Sequence, residues 1–271
     1  MQMQACAPIG VFDSGSGGLT VAYQLHKILP SENIIYVGDL QRMPYGPRNP
    51  GEIIKFMQQF LNFFKLKKVK MAVFACNTMT SWGFDAAAGR EPYYLVPMNT
   101  AVAEAVAVSP HKKIGVIATE ATVRKNFHSD VAAELDKDIQ VIARACPEFV
   151  PLIEGGHIDD MAIETVVRRY MAMFSADKIE ALILGCTHYP IIKDLLKKYL
   201  PSYVTLVDPA LSTAEAARNI LEQNKLINDD RQKGSLEFFF SAMPEHAGEM
   251  VKIVMGIDNP VISGIDLSKF N

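Results

Sequence analysis

What the chain lacks narrows it first. No run approaches the roughly 18 to 20 apolar residues of a membrane span, so no membrane crossing is expected. The opening MQMQACAPIG has no basic segment leading into an apolar core, which argues against a secretory leader and for a cytoplasmic location. No basic block appears either. Its 27 Lys and Arg stand against 30 Asp and Glu, a net charge of -3, so nucleic acid is not an expected partner. Lys65, Lys67, Lys68 and Lys70 form one small run, read as the solvated end of a helix, where cations suit the negative end of the dipole. Cysteine is scarce: Cys6, Cys76, Cys146 and Cys186 only, with no Cys-x-x-Cys pair and no histidine pair at zinc-ligand spacing. In a cytoplasmic chain these read as thiols rather than disulfides, and no metal site is expected. No low-complexity linker divides the sequence.

What is present fills 271 residues, enough for one large domain or two ordinary ones. A hydrophobic fraction of 49% and a mean hydropathy of +0.10 suit a globular protein with a full core. Short apolar runs predict strands at Ile9–Phe12, Ile34–Val37, Met71–Ala75, Ile114–Ala118 and Ala181–Leu184. Weaker runs lie at Tyr94–Val96, Ile139–Ala143, Val204–Val207 and Leu236–Phe240. Most do not alternate, as expected of parallel strands covered on both faces. Helical spacing predicts helices over Leu19–Leu29, Glu52–Phe64, Asp159–Phe174, Tyr189–Tyr199 and Ser212–Gln223. Alternation of the two argues an α/β fold with mainly parallel sheets.

Three segments carry chemistry. In IGVFDSGSGGLTV a strand ends at Asp13, a glycine-rich turn follows, and a helix begins near Gly18. Its N–H groups suggest an anion site, and a small carboxylate suits it better than a nucleotide. Gly15, Gly17 and Gly18 do not complete G-x-G-x-x-G, because position 20 is Thr, and no Gly-Lys-Ser/Thr follows. GDLQRMPYGPRNP is a proline- and glycine-rich loop in which Pro44-Tyr45-Gly46 can present a phenol or a main-chain N–H to a ligand. ACNT (75–78) and GCTHYP (185–190) each put a cysteine where a buried strand ends, followed by hydrogen-bonding residues. A single buried cysteine is usually inert core. Here the pattern occurs twice, and a helix start favours the thiolate. Cys6 and Cys146 lack such surroundings and read as structural. Ligands of open α/β sheets bind beyond the carboxyl ends of the strands. Two such units facing each other would place two thiols on opposite walls of one cleft. Two thiols suit proton transfer at carbon, one removing a proton while the other returns one. Charge developing beside a carboxylate would be held by Ser14, Thr78, Thr187 and the N–H groups of the turn.

DSGSGG, PYG, CNT and GCTHYP, in this order, resemble the glutamate racemases of the aspartate/glutamate racemase superfamily, with weaker similarity through IGVIATEAT, CPEFVPLIEGG and FFFSAMPEHAGEMVKIVMG. The resemblance implies two similar doubly wound α/β domains facing each other, residues 1–98 with 210–271 and residues 99–209. It implies interconversion of L- and D-glutamate for peptidoglycan synthesis, with neither pyridoxal phosphate nor a metal, by a cytoplasmic homodimer. Cys76 would serve the D-enantiomer and Cys186 the L-enantiomer. Asp13 would assist Cys76, and Glu154 and His188 would assist Cys186. Asp13, Ser14, Pro44, Tyr45, Gly46, Asn77, Thr78 and Thr187 would touch substrate. The chain departs from the family's pattern at Met79, at Leu40-Gln41 and at Pro97-Met98, which bears on pocket shape more than on reaction type. The seven residues before Pro8 are too short for the added segment through which some members are activated by a peptidoglycan precursor, so no such activation is expected. Other readings are a racemase of aspartate or another acidic amino acid, a catalytically silent carboxylate-binding protein on the same scaffold, and a nucleotide-binding α/β protein.

Overall fold

The computed structural model describes residues 4–174, 176–229 and 233–271; residues 1–3 of the opening stretch, read above for a leader, lie outside them. In chain order the strands are β1 (Ile9–Asp13), β2 (Ile34–Gly38), β3 (Met71–Phe74), β4 (Tyr94–Val96), β5 (Lys113–Ala118), β6 (Gln140–Ala145), β7 (Ala181–Gly185), β8 (Thr205–Val207), β9 (Leu236–Phe240) and β10 (Ile262–Gly264). The helices are α1 (Leu19–Ile28), α2 (Pro50–Lys67), α3 (Asn77–Ala87), α4 (Val102–Ala107), α5 (Glu120–Arg124), α6 (Phe127–Leu135), α7 (Phe149–Glu154), α8 (Met161–Ala172), α9 (Lys193–Lys198), α10 (Ala210–Gln223) and α11 (Pro244–Met255). No described helix is long and apolar enough to cross a membrane.

The chain forms two compact units, residues 1–98 with 210–271 and residues 99–209. The first holds a sheet in the order β10-β9-β2-β1-β3-β4, with every pair parallel. β1, β2 and β3 are buried along their whole length, which is why their sequences do not alternate. Phe12 on β1 anchors one face, with ring centroids 5.1 Å from Phe60, 5.8 Å from Phe64 and 4.6 Å from Phe74. α2 outruns the span predicted from apolar spacing at both ends. Asn49 and Glu52 form a capping box before it, and Lys68, left-handed at φ 54°, closes it.

The lysine run divides. Lys65, Lys67 and Lys68 stay at the helix end, but Lys70 is fully buried, contrary to the solvated reading. Its ammonium lies 2.5 Å from the equally buried Glu32 and donates to the carbonyls of Ala5 and Leu226. Burial lowers its pKa, while the hydrogen bond and charge of Glu32 raise it. Taking the cation out of water requires such partners.

The second unit holds a parallel sheet in the order β6-β5-β7-β8. Its packed centre comprises small and branched residues, among them Val102, Ile114, Val116, Ala118 and Ile183. The helix predicted over Tyr189–Tyr199 is broken in two: a 3₁₀ turn, Tyr189–Ile192, precedes α9. Pro190 sits in that turn, and the Ile191 N–H reaches back three residues to the His188 carbonyl at 3.1 Å.

The two sheets share one topology. β2-β1-β3-β4 and β6-β5-β7-β8 are the same order, with the third strand crossing to the far side of the first. The strand order therefore reverses beside β1 in one unit and beside β5 in the other, and such switch points open the crevice where α/β sheets bind ligands.

Candidate active site

Each switch point carries one of the paired cysteines. Cys76 follows β3 and caps α3 with extended backbone, φ -146° and ψ 113°. The start of an eleven-residue helix thus begins at its carbonyl, where the positive end of the dipole favours negative charge. Ser14 Oγ lies 3.8 Å from Cys76 Sγ, and the same hydroxyl lies 3.5 Å from Asp13 Oδ1. Asp13, at the end of β1, is fully buried, and its Oδ2 accepts the Gly18 N–H at 2.7 Å. The anion site expected at the glycine-rich turn is therefore occupied at Gly18 by the chain's own carboxylate. Gly18 is required there: a Cβ would stand 2.6 Å from the Asp13 Cβ.

Asn77 and Thr78 open α3 and are buried. Asn77 Nδ2 and Oδ1 have no hydrogen-bond partner. A buried amide with both atoms unpaired costs about 1–3 kcal/mol, a cost that a ligand's polar groups would relieve. Met79 is fully buried in the first turn of the same helix. Met98, another departure from the family's pattern, is held in the packing of this unit: its N–H donates to Thr80 Oγ1 at 3.1 Å, and its sulfur accepts from Thr213 Oγ1 at 3.6 Å.

The loop after β2 brings Pro44, Tyr45 and Gly46 near the same edge of this sheet. The phenol is not offered to a ligand, as its position in the loop suggested. Tyr45 is buried and donates to Asp39 Oδ2 at 2.5 Å. Burial first, then the Asp39 charge and hydrogen bond, raise its pKa well above the ordinary tyrosine value, so it remains a donor. What the turn can present is main chain.

At the other switch point, Cys186 follows β7, and Thr187 and His188 lead into the 3₁₀ turn. All three are buried. His188 Nδ1 lies 3.8 Å from Cys186 Sγ, and Nε2 lies 2.7 Å from Glu154 Oε1, at the last residue of α7. The imidazole thus links sulfur to carboxylate. Burial would lower the His188 pKa, but hydrogen bonds to Cys186 and Glu154 outweigh it and raise the value well above the ordinary histidine range. His188 can carry a proton at neutral pH and exchange it with the sulfur.

The other two cysteines differ. Cys146 is buried beneath Tyr189, whose hydroxyl donates to its carbonyl at 3.1 Å, and burial pushes its thiol far up in pKa, which makes it inert core. Cys6 is exposed, so it is not the packed structural residue its sequence context suggested.

Thr119 was not singled out by the sequence. β5 and β7 run in register, Ala118 opposite Gly185, so the next residues at the carboxyl edge are Thr119 and Cys186. Thr119 Oγ1 lies 3.1 Å from Thr122 Oγ1. The available signal was IGVIATEAT, where a strand ends in hydroxyl residues as at the other edge.

The Asp/Glu/hydantoin racemase family matches the chain over residues 18–217. A glutamate racemase of Caldanaerobacter subterraneus is 40% identical over 266 residues, 97% of each chain. The crystal structure of glutamate racemase from Francisella tularensis in complex with D-glutamate superposes with a TM-score of 0.88 at 33% identity, covering 98% of this chain and 99% of that one. A glutamate racemase isoform from Bacillus anthracis gives 0.91 at 31% identity, over 96% and 98% of the two chains. These likenesses extend over nearly the whole chain and include both switch-point segments. The chain belongs to the Asp/Glu/hydantoin racemase family and is an amino-acid racemase.

Proposed function

We propose that the protein interconverts L- and D-glutamate by two-base proton transfer, with Cys76 and Cys186 as the bases and no cofactor. One observation carries the reading: two sheets of the same strand order each end their third strand in a cysteine beside the switch point, and hydrogen-bonding side chains surround both.

In the L-to-D direction Cys186, as thiolate, takes the α-proton, and the C–H electron pair passes toward the substrate carboxylate. The Cys76 thiol then delivers its proton to the other face of the carbon. The sulfurs leave with exchanged protonation, and the reverse reaction restores them. Deprotonation beside a carboxylate is the difficult step, and fixed donors must hold the developing charge. Ser14, Thr78, Thr187 and the Asn77 amide are assigned to that work. His188 passes protons to and from Cys186, with Glu154 setting its charge, while Asp13, through Ser14, does the same for Cys76. Pro44, Tyr45 and Gly46 contribute main chain to the substrate.

The two compact units are read as the two domains that supply one base each, with glutamate as the small-molecule partner. The enzyme is assigned to the cytoplasm as a homodimer, and the D-glutamate it makes is assigned to peptidoglycan synthesis. The test is loss of optical rotation from D-glutamate with protein prepared without added cofactor. Turnover of aspartate and not of glutamate would move the assignment to the other acidic amino acid. Binding of glutamate without turnover of either would leave a silent binding protein.

A further inference from the structure

The loop that carries Pro44, Tyr45 and Gly46 is fixed by a buried carboxylate that no role above uses. Asp39 is fully buried. Its Oδ2 accepts from the Tyr45 hydroxyl and from Arg42 Nε, both at 2.5 Å, and its Oδ1 accepts from Ser241 Oγ at 2.7 Å. Ser241 follows β9, in the segment that returns some 200 residues later to complete this unit. Its Oγ also accepts the Gln41 N–H at 2.9 Å, and its own N–H reaches the Gly38 carbonyl at 3.1 Å. One serine thus grips both the carboxylate and the main chain at the start of the loop.

Arg42 is held from the other side. Its Nη1 donates to Gln59 Oε1 on α2 at 2.6 Å, and its guanidinium lies 4.0 Å from the centre of the Phe56 ring. The Tyr45 ring is 5.3 Å from the same ring. A carboxylate out of water must keep its donors, because each one removed leaves a charged oxygen short of a partner. The donors available to it place Tyr45, and with it the turn, in one position.

We propose that Asp39 is a positioning residue for the Pro44–Tyr45–Gly46 turn, and that Ser241 sets Asp39 in place. The proposal rests on the assignment of that turn to the substrate. Among the described hydrogen bonds Ser241 reaches Asp39, Gln41 and Gly38, and neither Ser14 nor His188, so its loss should act on binding rather than on proton transfer.

The experiment pairs Ser241→Ala with Tyr45→Phe and reads two quantities. Amide hydrogen exchange over residues 39–48 reports the latch itself, with or without activity. Ser241→Ala should speed exchange there by about tenfold and leave the other strands of the sheet protected as before. Steady-state kinetics with D-glutamate should show KM raised about tenfold in Ser241→Ala with kcat within twofold, the pattern of lost uniform binding. Tyr45→Phe added to Ser241→Ala should then raise KM by much less than it does alone, because both act through one carboxylate. Unchanged exchange in Ser241→Ala would overturn the latch. Faster exchange with an unchanged KM, or with fully additive effects, would overturn its role in positioning. If the wild-type protein turned over no glutamate, the substrate assignment would fall, and the exchange result would still decide whether Asp39 and Ser241 hold the loop.

Discussion

Cys76 and Cys186 hold the same place in two sheets of the same strand order, yet their surroundings differ. Cys76 stands at the start of an eleven-residue helix with a serine and a carboxylate nearby. Cys186 is followed by a four-residue 3₁₀ turn, and its neighbour is a buried histidine backed by a glutamate. A helix dipole is a fixed partial charge, whereas a histidine is a charge that can move. The comparison teaches that one topology can surround the same residue in two ways, one with a helix start and a serine–carboxylate pair, the other with a histidine–carboxylate pair.

The largest expected effect removes either side of the comparison. Cys76→Ala and Cys186→Ala should each lower racemisation by at least about 10³-fold, within the range of a lost general acid or base. Thermal unfolding should show both variants folded. A variant lacking one thiol that still racemised at full rate would contradict the equivalence of the two positions.

The next effect belongs to the Cys186 side alone. Glu154→Gln should lower kcat/KM by about 10²-fold, because His188 loses the carboxylate that keeps it charged. The enantiomers have equal free energy, so kcat/KM must fall equally in both directions. The asymmetry shows in the α-deuterium isotope effect. It should rise with L-glutamate, whose α-proton is assigned to Cys186, and fall with D-glutamate, whose own α-proton then leaves in a step that limits the rate less. A rise for D-glutamate only would exchange the assignments of the two thiols.

Asn77 gives a smaller effect with opposite signs in two assays. Asn77→Leu should stabilise the free protein by about 1 kcal/mol, because the unpaired buried amide is gone, and should raise KM for glutamate. Loss of stability in urea titrations would show that the amide is satisfied in the free protein.

Much of this was readable in the sequence, and the exceptions have physical causes. The continuous apolar runs located β1, β2, β3, β5 and β7 within a residue or two, because strands buried on both faces have nothing to alternate. α3 carries no apolar stripe. Its buried residues include Asn77, Thr78, Thr80 and Ser81 beside Met79, Gly83 and Ala87, and Ser81 donates to the Thr78 carbonyl at 3.0 Å. Polar residues buried inside a unit are invisible to hydrophobic spacing. β10 escaped because three residues, Ile262–Gly264, give no period to detect. At the site, Cys186 and His188 stood out as near neighbours. Glu154 entered only through family resemblance, since nothing local marks the end of α7 as a partner of His188 34 residues later. Asp39 and Ser241 lie 202 residues apart, a contact the fold alone creates.

The remaining expected effect bears on stability alone and concerns two histidines of the second unit. Burial pushes His128 down to about 4, below the ordinary 6.5, so the unfolded chain binds that proton first as pH falls. Its contribution reduces stability between about pH 6.5 and pH 4, approaching about 3 kcal/mol at the acid end. His188, with its pKa raised, does the reverse: its contribution is present below about 6.5 and is lost as pH rises through the raised value. His128→Phe should flatten the acid side of the stability profile and leave the alkaline side unchanged, as urea midpoints at several pH values would show.

The central claim is that two bases act on opposite faces of one carbon, and the first turnover in D₂O tests it most directly. D-Glutamate incubated briefly with the enzyme in D₂O should yield L-glutamate carrying deuterium at the α-carbon, while the remaining D-glutamate stays protiated. A product that keeps the original hydrogen would mean that one base carries the proton across, and would contradict the account.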